Sequence, residues 1–218
     1  MFGKQSAEKS VTEVRLVEAA AQLFARHGFK ATTTREIAQL ANLNEVTLFR
    51  YFPRKPDLFL AALESHLSRI KLGRDLQRGL AENDDPEVVL PLVVMFILNV
   101  LVTQPELQHL LHVAGFELPE SYKMIQDHLG PIFDPLVAYF KRSAEKQTIR
   151  NVDPALATLG LVGVVVAHRN IRVLFTRDQL SNSYPEQAIA AYSDLYLHGL
   201  RSVPARTLNP PECRASNY

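Results

Sequence analysis

Two helix-start signals set close together constrain this chain more than anything else in it. Thr33 stands three residues ahead of Glu36, the spacing at which a threonine oxygen accepts from the helix backbone while the glutamate reaches back to the threonine N–H. A second start follows at Asn44, with Glu45 placed beside the positive end of the next helix dipole. Asn42-Leu43-Asn44 between them is a turn. The segment therefore reads as one short helix through Ala41 and another over 45–51, ended by Pro53.

Longer helices flank this pair. Ser10 and Glu13 have capping-box spacing, Val14, Leu16, Val17, Leu23 and Phe24 recur at helical intervals, and Gly28 is the stop, which predicts a helix over 11–27. Another helix begins near Lys55-Pro56-Asp57 and carries Leu58, Ala62, Leu63, Leu67 and Ile70 on one side. Two short helices held between two longer ones are the layout of a DNA-binding helix-turn-helix, and equally of any small helical bundle.

Further along, Asp85-Pro86 and Asp153-Pro154 are helix starts, and Pro105, Pro119 and the Gly130-Pro131 pair are expected to divide the chain between them. The last two helices are predicted over 154–176 and 185–202, and residues 204–218, with three prolines and a polar ending, as a flexible tail. Alternating β-branched runs are missing, so the fold class is all-α.

Composition narrows the setting. With 218 residues and 47% hydrophobic content the chain can bury a core without covalent staples, and its single cysteine, Cys213, cannot close an intrachain disulfide, which fits a reducing cytoplasm. The N-terminus lacks the pattern of a secretory signal. Val88 to Val102 is the longest apolar stretch, but it contains Pro91 and Asn99 and is short for a spanning segment, so it reads as a buried core helix and no membrane association is expected. Split at Lys55, the net charge of +1 separates into nine bases against five acids (+4) and fifteen against eighteen (−3), a basic head on a mildly acidic body.

The segment Leu16-Val17-Glu18-Ala19-Ala20-Ala21-Gln22-Leu23-Phe24-Ala25-Arg26-His27-Gly28-Phe29-Lys30-Ala31-Thr32-Thr33 closely resembles the start of TetR-family regulators. Thr34-Arg35-Glu36-Ile37-Ala38 resembles that family's second helix, and Val46-Thr47-Leu48-Phe49-Arg50-Tyr51-Phe52-Pro53-Arg54-Lys55 its recognition helix and the start of its fourth. The sequence departs from the family at Asn42, where glycine is frequent, and at Glu45 and Val46, where a small or basic residue is. The resemblance implies that Thr33, Thr34, Arg35, Tyr51 and Lys55 hold phosphates, and that Glu45, Val46, Thr47 and Arg50 reach the major groove. Thr33 as a cap only and Arg50 as a solvated residue only are the competing readings, and Glu45 can accept from cytosine, repel a phosphate or serve the dipole. Leu48, Phe49 and Phe52 read as core.

By the same resemblance, residues 10–70 form a helix-turn-helix DNA-binding domain, with its central unit over 33–52, and residues 71–203 a larger helical domain for ligand binding and dimerisation. Leu156, Leu159, Gly160, Gly163, Tyr192, Leu195 and Tyr196 are the candidates for a four-helix homodimer interface, the alternative being intrachain core. Phe96, Asn99, His112, Phe116, Tyr122 and Phe133 are candidates for an apolar ligand pocket with a few polar anchors, or else ordinary core and surface. His109, His112 and His128 read as surface histidines, and neither metal nor cofactor is expected. No nucleophile with its base, phosphate loop or metal cluster marks an enzyme. The resulting expectation is a ligand-responsive repressor that binds a palindromic double-stranded DNA operator as a dimer and is released by a small apolar molecule. A helical protein-interaction dimer with a degenerate head is the alternative.

Overall fold

The computed structural model describes residues 10–176 and 186–201; the tail at 204–218, with Cys213, lies outside the described residues. Ser10 Oγ accepts from Glu13 N at 3.2 Å and starts α1 (Val11–Ala31). Gly28 interrupts that helix with φ 81° and ψ 171°, a combination essentially reserved for glycine. Helical geometry resumes for three residues, so α1 extends past the predicted stop. Thr32, fully buried, closes the break by donating its hydroxyl to Gly28 O at 2.8 Å and Leu23 O at 3.1 Å.

Helices α2 (Thr34–Leu40), α3 (Glu45–Tyr51) and α4 (Lys55–Leu67) complete the head. The body follows with α5 (Arg74–Glu82), α6 (Pro86–Thr103), α7 (Pro105–Glu117), a 3-10 turn at Pro119–Ser121, α8 (Tyr122–Glu145), α9 (Pro154–Thr176) and α10 (Glu186–Leu200). Among the described residues there is no strand.

One expectation fails at Gly130-Pro131, which does not divide the chain. Helix α8 runs through it and through Pro135. The two prolines are four residues apart, so the carbonyls they leave without donors lie on one side of the helix, and Pro131 is exposed to water there. Burial of Leu136, Tyr139 and Phe140 in the turns that follow holds the helix in place.

Two apolar clusters organise the molecule. The first joins Leu16, Phe24, Ile37, Leu48 and Phe59 of the head to Leu107, Leu110 and Ala114 of α7. Phe24, Phe29 and Phe59 meet there with ring centroids 5.2–5.6 Å apart. Helix α7 thus packs on α1 and α4 and belongs to the head's core although it follows the body's first two helices. The second cluster is built around α6, whose Val89, Leu90, Val94 and Leu98 pack among α5, α8, α9 and α10 with Tyr139, Phe140, Leu161 and Val165. Burial drives the Tyr139 phenol up to about 12.

Candidate functional site

The capping box at the start of α2 forms completely. Glu36 N donates to Thr33 Oγ1 at 3.2 Å, while Thr33 N and its hydroxyl both donate to Glu36 Oε2 at 2.8 Å. These bonds hold the Glu36 carboxyl below its ordinary pKa. They also engage the Thr33 hydroxyl inside the chain and make Thr33 the cap of α2.

The turn between α2 and α3 is closed by Asn42 N to Gln39 O at 3.0 Å and Leu43 N to Ala38 O at 2.9 Å. It requires a left-handed residue, and Asn42 supplies it with φ 53°; asparagine tolerates that region better than other side chains, which accounts for its presence in place of glycine. The Arg15 guanidinium, from α1, donates to the carbonyls of Ala41 and Asn42 and fastens the turn to the first helix. Sequence reasoning missed this brace, because nothing local links residues 15 and 41.

Asn44 Oδ1 then accepts from Thr47 N at 2.7 Å and starts α3. The half-buried Glu45 carboxylate receives the Thr34 hydroxyl at 2.5 Å. Glu45 is thereby a bridge between the starts of α2 and α3, and Thr34 spends its proton on it. Helix α3 turns Leu48 and Phe52 into the head. Phe49 does not follow them: it is 44% exposed and shares the outer face with Val46, 80% exposed, and Arg50, positions spaced by three and four residues. This corrects the reading of Phe49 as core. Arg35 is exposed on α2.

At the end of α3 the Tyr51 hydroxyl lies against Ser10 and Thr12, whose hydrogen bonding lowers its pKa. The Arg50 guanidinium lies 5.6 Å from the Tyr51 ring centroid. Lys55 packs 4.5 Å over the Phe29 ring and donates to Lys30 O at 3.4 Å, and burial lowers its pKa although Glu117 and Glu36 oppose that. Arg54 makes a two-pronged pair with Asp57 at 2.6 and 3.1 Å.

Inside the body, between α5 and α9, lies a cavity of about 170 Å³. Leu76, Val93, Ile97, Leu136 and Val166 are typical of its wall, to which Phe96 and Phe133 also contribute. The other four pocket candidates are elsewhere. Asn99 is exposed on α6, because it falls off the face that carries Val93, Ile97 and Val100. His112 and Phe116 stack on each other at 4.7 Å on the outer side of α7, Phe116 being 78% exposed, since the other side of α7 is taken up by the head. Tyr122 is on the surface, with its hydroxyl donating to Gly115 O at 2.8 Å. The aliphatic wall has its sequence signal in Leu72, Leu76 and Leu80, which recur every four residues, rather than in aromatic or polar residues.

Helices α9 and α10 display an apolar face. Leu156, Leu159 and Leu195 are 70%, 61% and 64% exposed, and Gly163 is open beside them. Gly160 and Tyr196 meet within the chain: a Cβ on Gly160 would come within 2.8 Å of the Tyr196 oxygen, and that hydroxyl donates to Ala157 O. Tyr192 hydrogen-bonds His168 Nδ1 of α9. These last three candidates therefore serve the α9–α10 contact of one chain. Among the described residues no group of three or more His, Asp or Glu is placed to hold a metal ion.

Residues 16–62 match the sequence model of a family described as bacterial regulatory proteins, tetR family. The uncharacterized HTH-type transcriptional regulator YvkB of Bacillus subtilis (strain 168) is 47% identical over 57 residues, 26% of this chain and 30% of that protein. The match thus spans less than a third of that relative's length. Among solved structures, the TetR family transcriptional regulator PfmR of Thermus thermophilus superposes with a TM-score of 0.67 at 22% identity, over 89% of this chain and 100% of that one. The transcriptional regulator FadR of Bacillus subtilis, solved in complex with stearoyl-CoA, gives a TM-score of 0.63 at 17% identity, over 86% and 99%. At these identities the structures share the fold.

Proposed function

We propose that the protein, whose residues 16–62 match the tetR-family model, is a cytoplasmic transcriptional repressor that binds a palindromic operator as a homodimer and releases it when a small apolar molecule enters the body. The observation that carries this reading is the outer face of α3, where Val46, Phe49 and Arg50 are exposed together. An apolar residue and a cation, one helical turn apart, suit a thymine methyl and a guanine or phosphate edge. Arg35 and the half-exposed Thr47 extend the contact, and Tyr51 and Lys55 flank it.

One head reads one half-site, so useful affinity needs two heads about one DNA turn apart. The exposed leucines of α9 and α10 support dimerisation through that face. The cavity supports ligand response, and α7, which lines it with Leu107 and Leu111 while packing on α1, is a rigid path from the cavity to the head. The neighbour FadR was solved in complex with stearoyl-CoA, and the apolar wall of the cavity suits an apolar ligand here as well. We assign no enzymatic activity.

Selection from random duplexes tests the proposal. The purified protein should retain an inverted repeat, with an affinity that falls steeply as salt rises. Equal weak retention of all sequences at low salt would refute it.

A further inference from the structure

One place in the molecule brings an apolar space up to a buried amide oxygen that makes no hydrogen bond of good geometry. The cavity wall is aliphatic and aromatic except for Gln104 and Gln108. Gln108 is satisfied, its Nε2 donating to Asn170 Oδ1 at 2.6 Å. Gln104 is only 8% exposed, and its Oε1 lies beside the His66 ring without forming a hydrogen bond of good geometry. Its backbone is fixed at the junction of α6 and α7, where its N–H donates to Val100 O at 3.0 Å, so the side chain is held in the wall. A buried amide oxygen so poorly paired is an unfavourable feature that an occupant can improve.

The electrostatics restrict what that occupant is. Among the described residues no charged side chain lines the cavity. His66, buried beside Gln104, has its pKa lowered chiefly by burial and secondarily by Arg69, against the opposing effects of Glu106 and Gln104, so it supplies no cation at neutral pH. A carboxylate or phosphate would enter without a counter-ion. The size is also informative: a cavity of about 170 Å³ resembles one of about 150 Å³ that accepts benzene.

Building on the reading of this cavity as the effector site, we propose that it takes an uncharged aliphatic molecule of roughly eight carbons carrying a hydroxyl group that donates to Gln104 Oε1. The chemical class is a medium-chain alcohol rather than a fatty acid or an acyl phosphate.

Three probes of similar size separate the possibilities in calorimetric titrations of the full chain at pH 7.5: 1-octanol, its isomer heptyl methyl ether, which lacks a donor, and octanoate, which is charged. The alcohol should bind about tenfold more tightly than the ether, and about a hundredfold more tightly than octanoate. In Gln104→Leu the alcohol should fall to the level of the ether while the ether still binds, which shows that the cavity persists. Octanoate binding as well as octanol, equal binding of alcohol and ether to the native protein, or no binding of any probe overturns the proposal. These native-protein affinities decide the matter even if the variant misfolds. Octanol that binds through Gln104 yet leaves operator affinity unchanged supports the ligand class and refutes only the ligand-responsive repressor.

Discussion

The α9–α10 face yields the sharpest quantitative test, through Leu195→Ala. Leu195 is 64% exposed, so truncating it removes little packing from a single chain and should leave the monomer's stability nearly unchanged. In a symmetric dimer the same side chain is buried twice. Leucine to alanine deletes three carbons, about 2.4 kcal/mol at roughly 0.8 kcal/mol for each buried CH₂. Taking the 64% that the monomer leaves in water gives about 1.5 kcal/mol per copy and about 3 kcal/mol per dimer. The dimer Kd should therefore rise about a hundredfold, read by sedimentation equilibrium over a concentration series. Affinity for an inverted repeat should fall with it, while binding to an isolated half-site stays constant. A Kd within threefold of the native value, with the fold intact by circular dichroism, would show that another surface joins the subunits.

Three further outcomes follow from the head. Arg35→Ala should weaken binding to all duplexes alike and reduce the salt slope by about one, whereas Val46→Ala should relax preference at one base pair by about 1 kcal/mol; parallel selections on specific and random DNA distinguish them, and equal losses for both variants would overturn these roles. Glu36→Gln should lower the melting temperature at pH 7. Since the folded pKa of Glu36 lies below the ordinary value of 4.5, its contribution is present above the unfolded pKa and is lost as pH falls through the folded one. The gap between native and variant should thus close on acidification below 4.5, and a constant gap would mean that the carboxylate charge is not involved. Gly28→Ala should destabilise the protein by about 1–3 kcal/mol through backbone strain, because its new Cβ would meet only Glu117 Oε1 at an unstrained 3.8 Å; an unchanged denaturation midpoint would contradict that.

The sequence announced its helix starts with unequal success at its breaks. Ser10, Thr33, Asn44 and Asp85 each cap the helix expected of them, since a cap is a contact between residues two or three apart and needs no distant partner. Gly130-Pro131 misled because a proline's missing hydrogen bond can be offset by burial in neighbouring turns of the helix, and that burial is supplied by α5 and α9. Phe49 misled for a related reason: hydrophobicity does not say which way a residue points on a helix of seven residues. The pocket candidates divided in the same manner, with Phe96 and Phe133 facing inward and Phe116 and Tyr122 outward, according to which face each helix gives to its neighbours.

Glu45 shows where the boundary between the two kinds of information lies. The sequence left it as a base reader, a phosphate repellent or a dipole partner, and gave no sign of the bond from Thr34 by which it joins two helix starts. What the sequence determined by itself is everything carried by short-range chemistry: the all-helical class, the capped helix pair with its turn, and the family resemblance of the head. What only the tertiary structure decided is everything that depends on residues far apart in the chain. Arg15 on the α2–α3 turn, α7 in the core of the head, and Gln104 facing an apolar cavity are contacts whose energy comes from burial and desolvation, and these arise only once distant helices have packed.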